Sequence, residues 1–535
     1  MRWFNSVTAL FPILCVSGGA LLLMLFEAAI GRPAAPAPGD LEALYRTRVR
    51  AALRSAFAIG VLALAAAGSA GLWLLARRAG QLDPGFLSQI VSHTAGLGGD
   101  RFALVVYAIL CAGGILVLLQ AGSYLRELGI DRPEFPLLVL FAVLGGMFLA
   151  AARDLLLMFI GLETLSLGTY CLVAFQRSSL KSTEAALKYF LLGSFAAAIL
   201  LFGMALLYGV TGSLELSRIG KVLSLASPTA FEPVAAIGMA LVVVGLAFKV
   251  SAVPFHMWTP DAYEGAPTPT TAFMAVVVKT AAFAIMMRVL LVAFPLGSPL
   301  SSAPAGWVSL LTGFALLTMV LGNFAGLMQD NVKRLLAYSS IAHAGYILIG
   351  VIVAGAVRSA VPREAERLQA DALGAVLFYL VAYTLATAGA FAVLSICARD
   401  HRESTKVVDL HGLAVRSPGL AAGFLVCVLS LVGIPPTAGF FGKLYLFKLA
   451  VQAGLWPLAL VGVLTSVAAA YYYLRLIVAV YMRPAETEDV AVPAPTTRGR
   501  LGIAAAALFV VALGLLPARV LSVATQSVFD LLRMQ

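Results

Sequence analysis

Charge is scarce in this sequence. Asp, Glu, Lys and Arg make up 12% of the 535 residues, against 61% hydrophobic ones, and mean hydropathy is +0.96. A soluble globular chain carries about 25% charged residues to dress its surface, so a soluble protein is excluded. Cysteine is scarce too. Cys15, Cys111, Cys171, Cys397 and Cys427 are scattered through apolar segments without a CxxC pair. That removes the usual basis for a metal or iron–sulfur site. Long basic runs are missing, although the formal charge is +11. The basic residues lie in short loops between apolar runs, where they set topology and meet anionic lipid, not nucleic acid. The first apolar run continues to about Ile30 without a small-residue cleavage pattern, so it reads as a retained span and not as a signal peptide.

What the sequence does hold is apolar runs of about 18 residues or more, about fourteen of them. The fold class is an all-α polytopic membrane protein. Two runs are interrupted. The seventh carries Lys249 and is cut at Pro254, with Pro260, Gly265, Pro267 and Pro269 following. The twelfth contains Gly433, Pro435, Pro436 and Gly439 and then Lys443. Irregular backbone at membrane depth is tolerated only where protein or water covers it. The breaks are five spans apart, which predicts two five-helix repeats, helices 4–8 and 9–13. An odd number of helices per repeat inverts one copy relative to the other. The expected divisions are an N-terminal three-helix region (1–130), a first repeat (131–295), a second repeat (300–482) and a linker with the last helix (483–535). The two lysines do not superimpose in sequence, because Lys249 precedes its proline and Lys443 follows Pro435. Loops after odd-numbered spans hold about 18 Lys and Arg against about 12 on the other side. Arg46, Arg48, Arg50, Arg54, Arg399, Arg402, Lys406 and Arg416 carry much of that excess. The rule places both termini on the periplasmic side.

A charged residue inside a span costs roughly 2.5–3.5 kcal/mol on insertion scales, so each one marks a candidate site. The set is Glu163, Lys188, Lys249, Lys279, His343 and Lys443. An acid, amines and an imidazole in helix interiors suit proton transfer through water. A carboxylate about 7 Å from a lysine interacts with it by about 2.4 kcal/mol at an effective dielectric of 20, enough to bias its proton. Each residue has a plainer reading. Lys188 or Lys249 could snorkel to the headgroups. Glu163 could be a protonated hydrogen-bonding acid, and His343 a satisfied polar residue with Ser339, Ser340 and Tyr346 around it. Asp154 reads as an interfacial loop charge, and Tyr471, Tyr472 and Tyr473 as packing aromatics.

The strings FKVSAVPFHMWTPDAYEGAPTP, ALKYFLLGSFAAAILLFGMALLYG, DNVKRLLAYSSIAHAGY and LSLVGIPPTAGFFGKLYLF resemble subunit N of NADH-quinone oxidoreductase, an antiporter-like membrane subunit of respiratory complex I. The resemblance covers roughly residues 130 to 480. It implies fourteen helices, inverted repeats and breaks in helices seven and twelve. It places the family's glutamate on Glu163 and its lysines on Lys249, Lys279 and Lys443, with Lys188 and His343 at further polar positions of a central axis. No long lateral helix is expected after the bundle. NADH, FMN, iron–sulfur clusters and quinone are expected on partner subunits, and no cofactor on this chain. Subunits M, K and J are the expected neighbours in a bacterial inner membrane. The implied function is proton translocation driven by redox chemistry elsewhere. A subunit of a multisubunit cation/proton antiporter is the alternative. A non-transporting scaffold has no need of so many costly charges.

Overall fold

Uncharged runs rich in Leu, Ala, Val and Phe close every backbone hydrogen bond within one helix, as a bilayer demands. The computed structural model describes residues 10–30, 41–82, 99–225, 233–302 except 295 and 297, 304, 306–357, 362–398, 403, 405–484 and 496–533. Among them, thirteen helices are long and apolar enough to cross a membrane. They are α1 (Phe11–Ile30), α2 (Leu41–Leu82), α3 (Arg101–Glu127), α4 (Glu134–Ala151), α5 (Leu155–Val173), α6 (Leu180–Thr211), α7a (Pro233–Val250), α8 (Thr268–Val292), α9 (Trp307–Leu327), α10 (Val332–Ala356), α11 (Pro362–Ile396), α13 (Trp456–Met482) and α14 (Thr497–Leu515). The broken twelfth span supplies α12a (Pro418–Val432) and α12b (Ala438–Gln452). Helix α7a continues past its break as α7b (Trp258–Gly265). The residues PREAERLQAD form the first turns of α11. Residues 31–40, Arg399, Arg402 and 485–495 lie outside the described residues.

Two matched backbone details reveal the repeat. Asp154 pairs with Glu215 in an isolated antiparallel bridge, and Asn331 pairs with Lys406 in another. Asp154 and Asn331 are the N-caps of α5 and α10, the second helix of each repeat, and each side chain accepts a backbone N–H of the first turn. The expected loop charge at Asp154 is therefore a cap. The two bridges sit at opposite ends of α8. Near the C-terminus of α8, Arg288 donates to the Ala150 carbonyl at 2.8 Å, beside Asp154. Just before its N-terminus, the Ala266 carbonyl accepts from Lys333 at 2.5 Å, beside Asn331. The second repeat is thus inverted relative to the first.

The breaks match as well. Ser251 and Gly433 close α7a and α12a with φ of 65° and 91°. Each is followed three residues later by a proline, Pro254 or Pro436, whose preceding peptide bond is cis. Glycine takes the left-handed region freely, while serine is strained there. The Thr259 hydroxyl donates to Ser251 Oγ at 2.8 Å and helps to hold it. Aligning the breaks sets Asp261 opposite Lys443 and Lys249 opposite Leu431, so the two lysines occupy different positions in the two repeats.

Helices α8, α10 and α11 form the buried centre. Helix α6 is 32 residues long, about 48 Å at 1.5 Å per residue, so it overshoots a hydrocarbon core of about 30 Å. A last helix, α15 (Pro517–Leu532), is amphipathic and not a span. Arg101 at the start of α3 pairs with its Asp530 at 2.5 Å, and Trp73 of α2 donates to its Ser527 at 2.7 Å.

Candidate functional site: a buried polar axis

Helix α10 is the spine of the site. Ser339, Ser340, His343 and Tyr346 recur along it at helical spacing and are all buried. Helix α8 brings Lys279 to it. The segment Met274–Val278 is a single π-helical turn, and Lys279 is the first residue after it. Such bulges shift the side chains beyond them and cluster at functional sites. The Lys279 ammonium donates to the Ser340 carbonyl at 2.5 Å and to the Ser340 hydroxyl. It also lies 5.6 Å from the ring of Tyr383, whose own hydroxyl donates to Ser340 Oγ at 2.8 Å.

One residue back, the Ser339 hydroxyl shares a hydrogen bond with the hydroxyl of Tyr473 on α13. Tyr473 Oη is 3.0 Å from His343 Nε2, and Tyr379 Oη of α11 is 2.6 Å from His343 Nδ1. Both ring nitrogens are thus engaged. Tyr472 donates to Asn323 Oδ1 at 3.2 Å, and Asn323 donates to Tyr346 Oη at 2.9 Å. The Tyr346 ring lies 5.1 Å from Lys443 Nζ.

Lys443 stands on α12b but reaches back across the break. It donates to the Val432 carbonyl at 2.7 Å, to the Leu431 carbonyl at 3.3 Å and to the Ser466 hydroxyl at 2.7 Å. The last carbonyls of a helix are unpaired and carry the negative end of its dipole. The ammonium therefore finds its counter-charge in the stump of α12a. Gly433 makes room for it, since a Cβ there would stand 3.1 Å from Lys443 Cδ.

The first repeat holds a separate cluster. Lys249, at the end of α7a, donates to Ser166 Oγ at 2.8 Å and lies 5.7 Å from the Tyr170 ring and 5.9 Å from the Tyr189 ring. Glu163 is one turn before Ser166 on α5, on the same face, and its Oε1 is buried without a hydrogen bond.

Five of the six candidates, Glu163, Lys249, Lys279, His343 and Lys443, thus face the bundle interior. Lys188 does not belong to the buried set and is a correction. Its side chain is 45% exposed and pairs with Glu184 at 2.7 Å and Asp261 at 2.9 Å. Helix α6 turns Ala185, Tyr189, Gly193, Ala196 and Leu200 inward, and at 100° per residue Lys188 lies about 100° from the centre of that face.

The family model for NADH:quinone oxidoreductase/Mrp antiporter membrane subunits matches residues 152–469, more than half of the chain. The chain is 47% identical over 524 residues to NADH-quinone oxidoreductase subunit N 1 of Sorangium cellulosum (strain So ce56), covering 97% of this chain and 98% of that one. The chain belongs to the subunit N family. Subunit N of Myxococcus xanthus (strain DK1622) is 46% identical over 403 residues, 72% of this chain and 76% of its own length. A chain of respiratory complex I from Thermus thermophilus superposes with TM-score 0.73 at 35% identity, over 96% of this chain and 99% of that one. A chain of the Mrp complex from Dietzia sp. DQ12-45-1b, 21% identical over 99% and 98%, shares the fold with TM-score 0.76.

Several residues of the subunit N axis escape a reading from sequence. Tyr379, Tyr383 and Asn323 stand in apolar helices with no pattern to mark them. Tyr472 and Tyr473 are a correction: they are buried members of the hydrogen-bonded network, whereas Tyr471 is 65% exposed. A run of three tyrosines points in three directions around a helix, and only packing tells which are inside.

Proposed function

We infer that this chain is a proton-translocating membrane subunit of an NADH:quinone oxidoreductase. The observation that carries the reading is the buried axis running from Lys279 to His343 and on to Lys443, in a chain 47% identical to a curated subunit N over nearly its full length. The matching family model includes Mrp antiporters as well, but the Mrp chain is 21% identical against 47% for the subunit N relative.

Glu163, Lys249, Lys279, His343 and Lys443 carry protons in this reading, with Lys188 at the rim. Hydroxyls and imidazole can pass a proton by reversing their hydrogen bonds, because each both donates and accepts. Tyr473 touches Ser339 and His343 at once, so one reversal of its hydroxyl passes a proton between Ser339, the neighbour of Ser340, and the imidazole. Residues 131–295 and 300–482 serve as the two units through which the path runs. NADH, FMN, iron–sulfur clusters and quinone belong to partner subunits. Subunits M, K and J are the neighbours in a bacterial inner membrane.

Lys249→Ala and Glu163→Ala are each expected to impair NADH-driven proton pumping while the complex still assembles. Acidification in inverted vesicles, set against the amount of intact complex, measures this. Full pumping from a normal amount of complex would remove both residues from the path.

Both termini face the periplasm in this reading. Cysteines placed at each end are expected to react with an impermeant thiol reagent in intact spheroplasts. Protection of either end would show that the span count or the orientation is wrong.

A further inference from the structure

Among the described residues, no continuous line of hydrogen bonds joins Lys249 to Lys279. From Lys249 the contacts run through rings. Its Nζ is 5.9 Å from the Tyr189 ring, and that ring stacks on Trp258 with centroids 4.5 Å apart and planes 16° from parallel. Trp258 also meets Tyr263 edge-on, with ring centroids 6.4 Å apart. Tyr263 Oη is 3.4 Å from Ser340 Oγ, the atom that receives Lys279. The order is therefore Lys249, Tyr189, Trp258, Tyr263, Ser340, Lys279. No hydrogen bond crosses the tryptophan along this line.

Trp258 is the first residue of α7b, directly after the break. Its indole N–H donates to the Phe248 carbonyl at 3.0 Å, which also accepts the Ser251 N–H at 3.1 Å where α7a ends. The ring is thus latched to the stump of the helix that carries Lys249. Two polar atoms on the Lys249 side are buried without a hydrogen bond, the Tyr189 hydroxyl and Glu163 Oε1. Tyr189 is fully buried. Buried hydroxyls are nearly always paired, so an unpaired one beside a lysine marks a place where a water molecule binds.

We propose that Trp258, in contact with both Tyr189 and Tyr263, is a gate between the two halves of the proton path, and that the Tyr189 hydroxyl holds the water that carries protons up to it. The proposal rests on the proton-pumping reading above. With the latch to Phe248 made, the stacked rings exclude water and the two lysines exchange no proton. Movement of α7b about the break shifts the ring and lets water join Tyr189 to Tyr263. No covalent bond other than N–H and O–H is made or broken. Each proton that reaches Tyr189 Oη from one side is matched by one that leaves from the other. Trp258 is a positioning residue here and touches no reacting atom.

The test uses the whole purified complex in proteoliposomes. Tyr189→Phe keeps the stack and removes the hydroxyl. It is expected to slow NADH-driven pumping about tenfold, below the span usual for lost proton relays because water can partly substitute, with passive proton leak unchanged. Trp258→Leu removes the partition. It is expected to raise passive leak several-fold in the absence of NADH and to lower the protons moved per NADH oxidised. Trp258→Phe, which restores a flat ring, is expected to bring the leak back toward wild type. A merely structural tryptophan would lower the yield of complex and leave the leak per complex unchanged. Wild-type pumping in Tyr189→Phe together with wild-type leak in Trp258→Leu would overturn the gate. Lys279→Met is the control: if it pumps fully, the functional reading itself fails, and if it does not, only the gate does.

Discussion

Lys279→Arg is expected to assemble with the complex and to pump protons about 100-fold more slowly than wild type, the loss typical of a missing proton-transfer group. Lys279 is buried on α8 and bonded to both the carbonyl and the hydroxyl of Ser340. Arginine keeps the positive charge, but its pKa lies above 12 and it does not release a proton readily. Its guanidinium can still donate to Ser340, so the fold keeps its hydrogen bonds. Lys279→Met lacks a titratable group and is expected to pump no better. The pair separates titration from charge, measured as acidification per complex in vesicles. If arginine pumps at the wild-type rate and methionine does not, Lys279 acts as a fixed charge and the carrier role is wrong.

Arg288→Met is expected to destabilise the protein by about 3–5 kcal/mol, the cost of leaving a buried charge without its partner. Arg288 and Asp100 are each about 1% exposed and their Nη2 and Oδ2 atoms are 2.9 Å apart. Arg288 also donates to the Ala150 carbonyl, so one side chain ties α8 to α3 and α4. The expected result is a loss of most intact complex on native gels. Asp100 also caps α3, accepting the Ala103 N–H at 2.8 Å. Asparagine caps about as well as aspartate, so Asp100→Asn combined with Arg288→Met removes the stranded charge and keeps the cap. The double variant is expected to recover much of the complex. No recovery would mean that the bonds of Arg288 to Ala150 carry the stability instead of the ion pair.

Much of this was legible along the chain, for identifiable reasons. Apolar runs report spans directly, because a bilayer accepts little else than helices. The two Pro and Gly clusters report the breaks, since proline cannot continue a helix and Gly433 takes a φ that other residues resist. Glu163, Lys249, Lys279, His343 and Lys443 stood out because charge and polarity in such runs are costly. Lys188 looked the same by that criterion and turned out exposed. Position along a helix says how deep a residue is, and only packing says which way it faces.

By itself the sequence determined the class of the protein, its two broken helices, its inverted plan and the set of costly charges, since each follows from local composition and the demands of lipid. Tertiary structure decided which groups meet. It turned Tyr473 inward and Tyr471 outward. It placed Lys443 on the carbonyls of a helix that ends before it, Lys279 on Ser340 of α10, and Trp258 in contact with two tyrosines from different segments. The contacts Lys279–Ser340, Tyr473–His343 and Trp258–Tyr189 join residues distant along the chain, and their geometry depends on a rotation about a helix axis or a π-turn that no local spacing encodes.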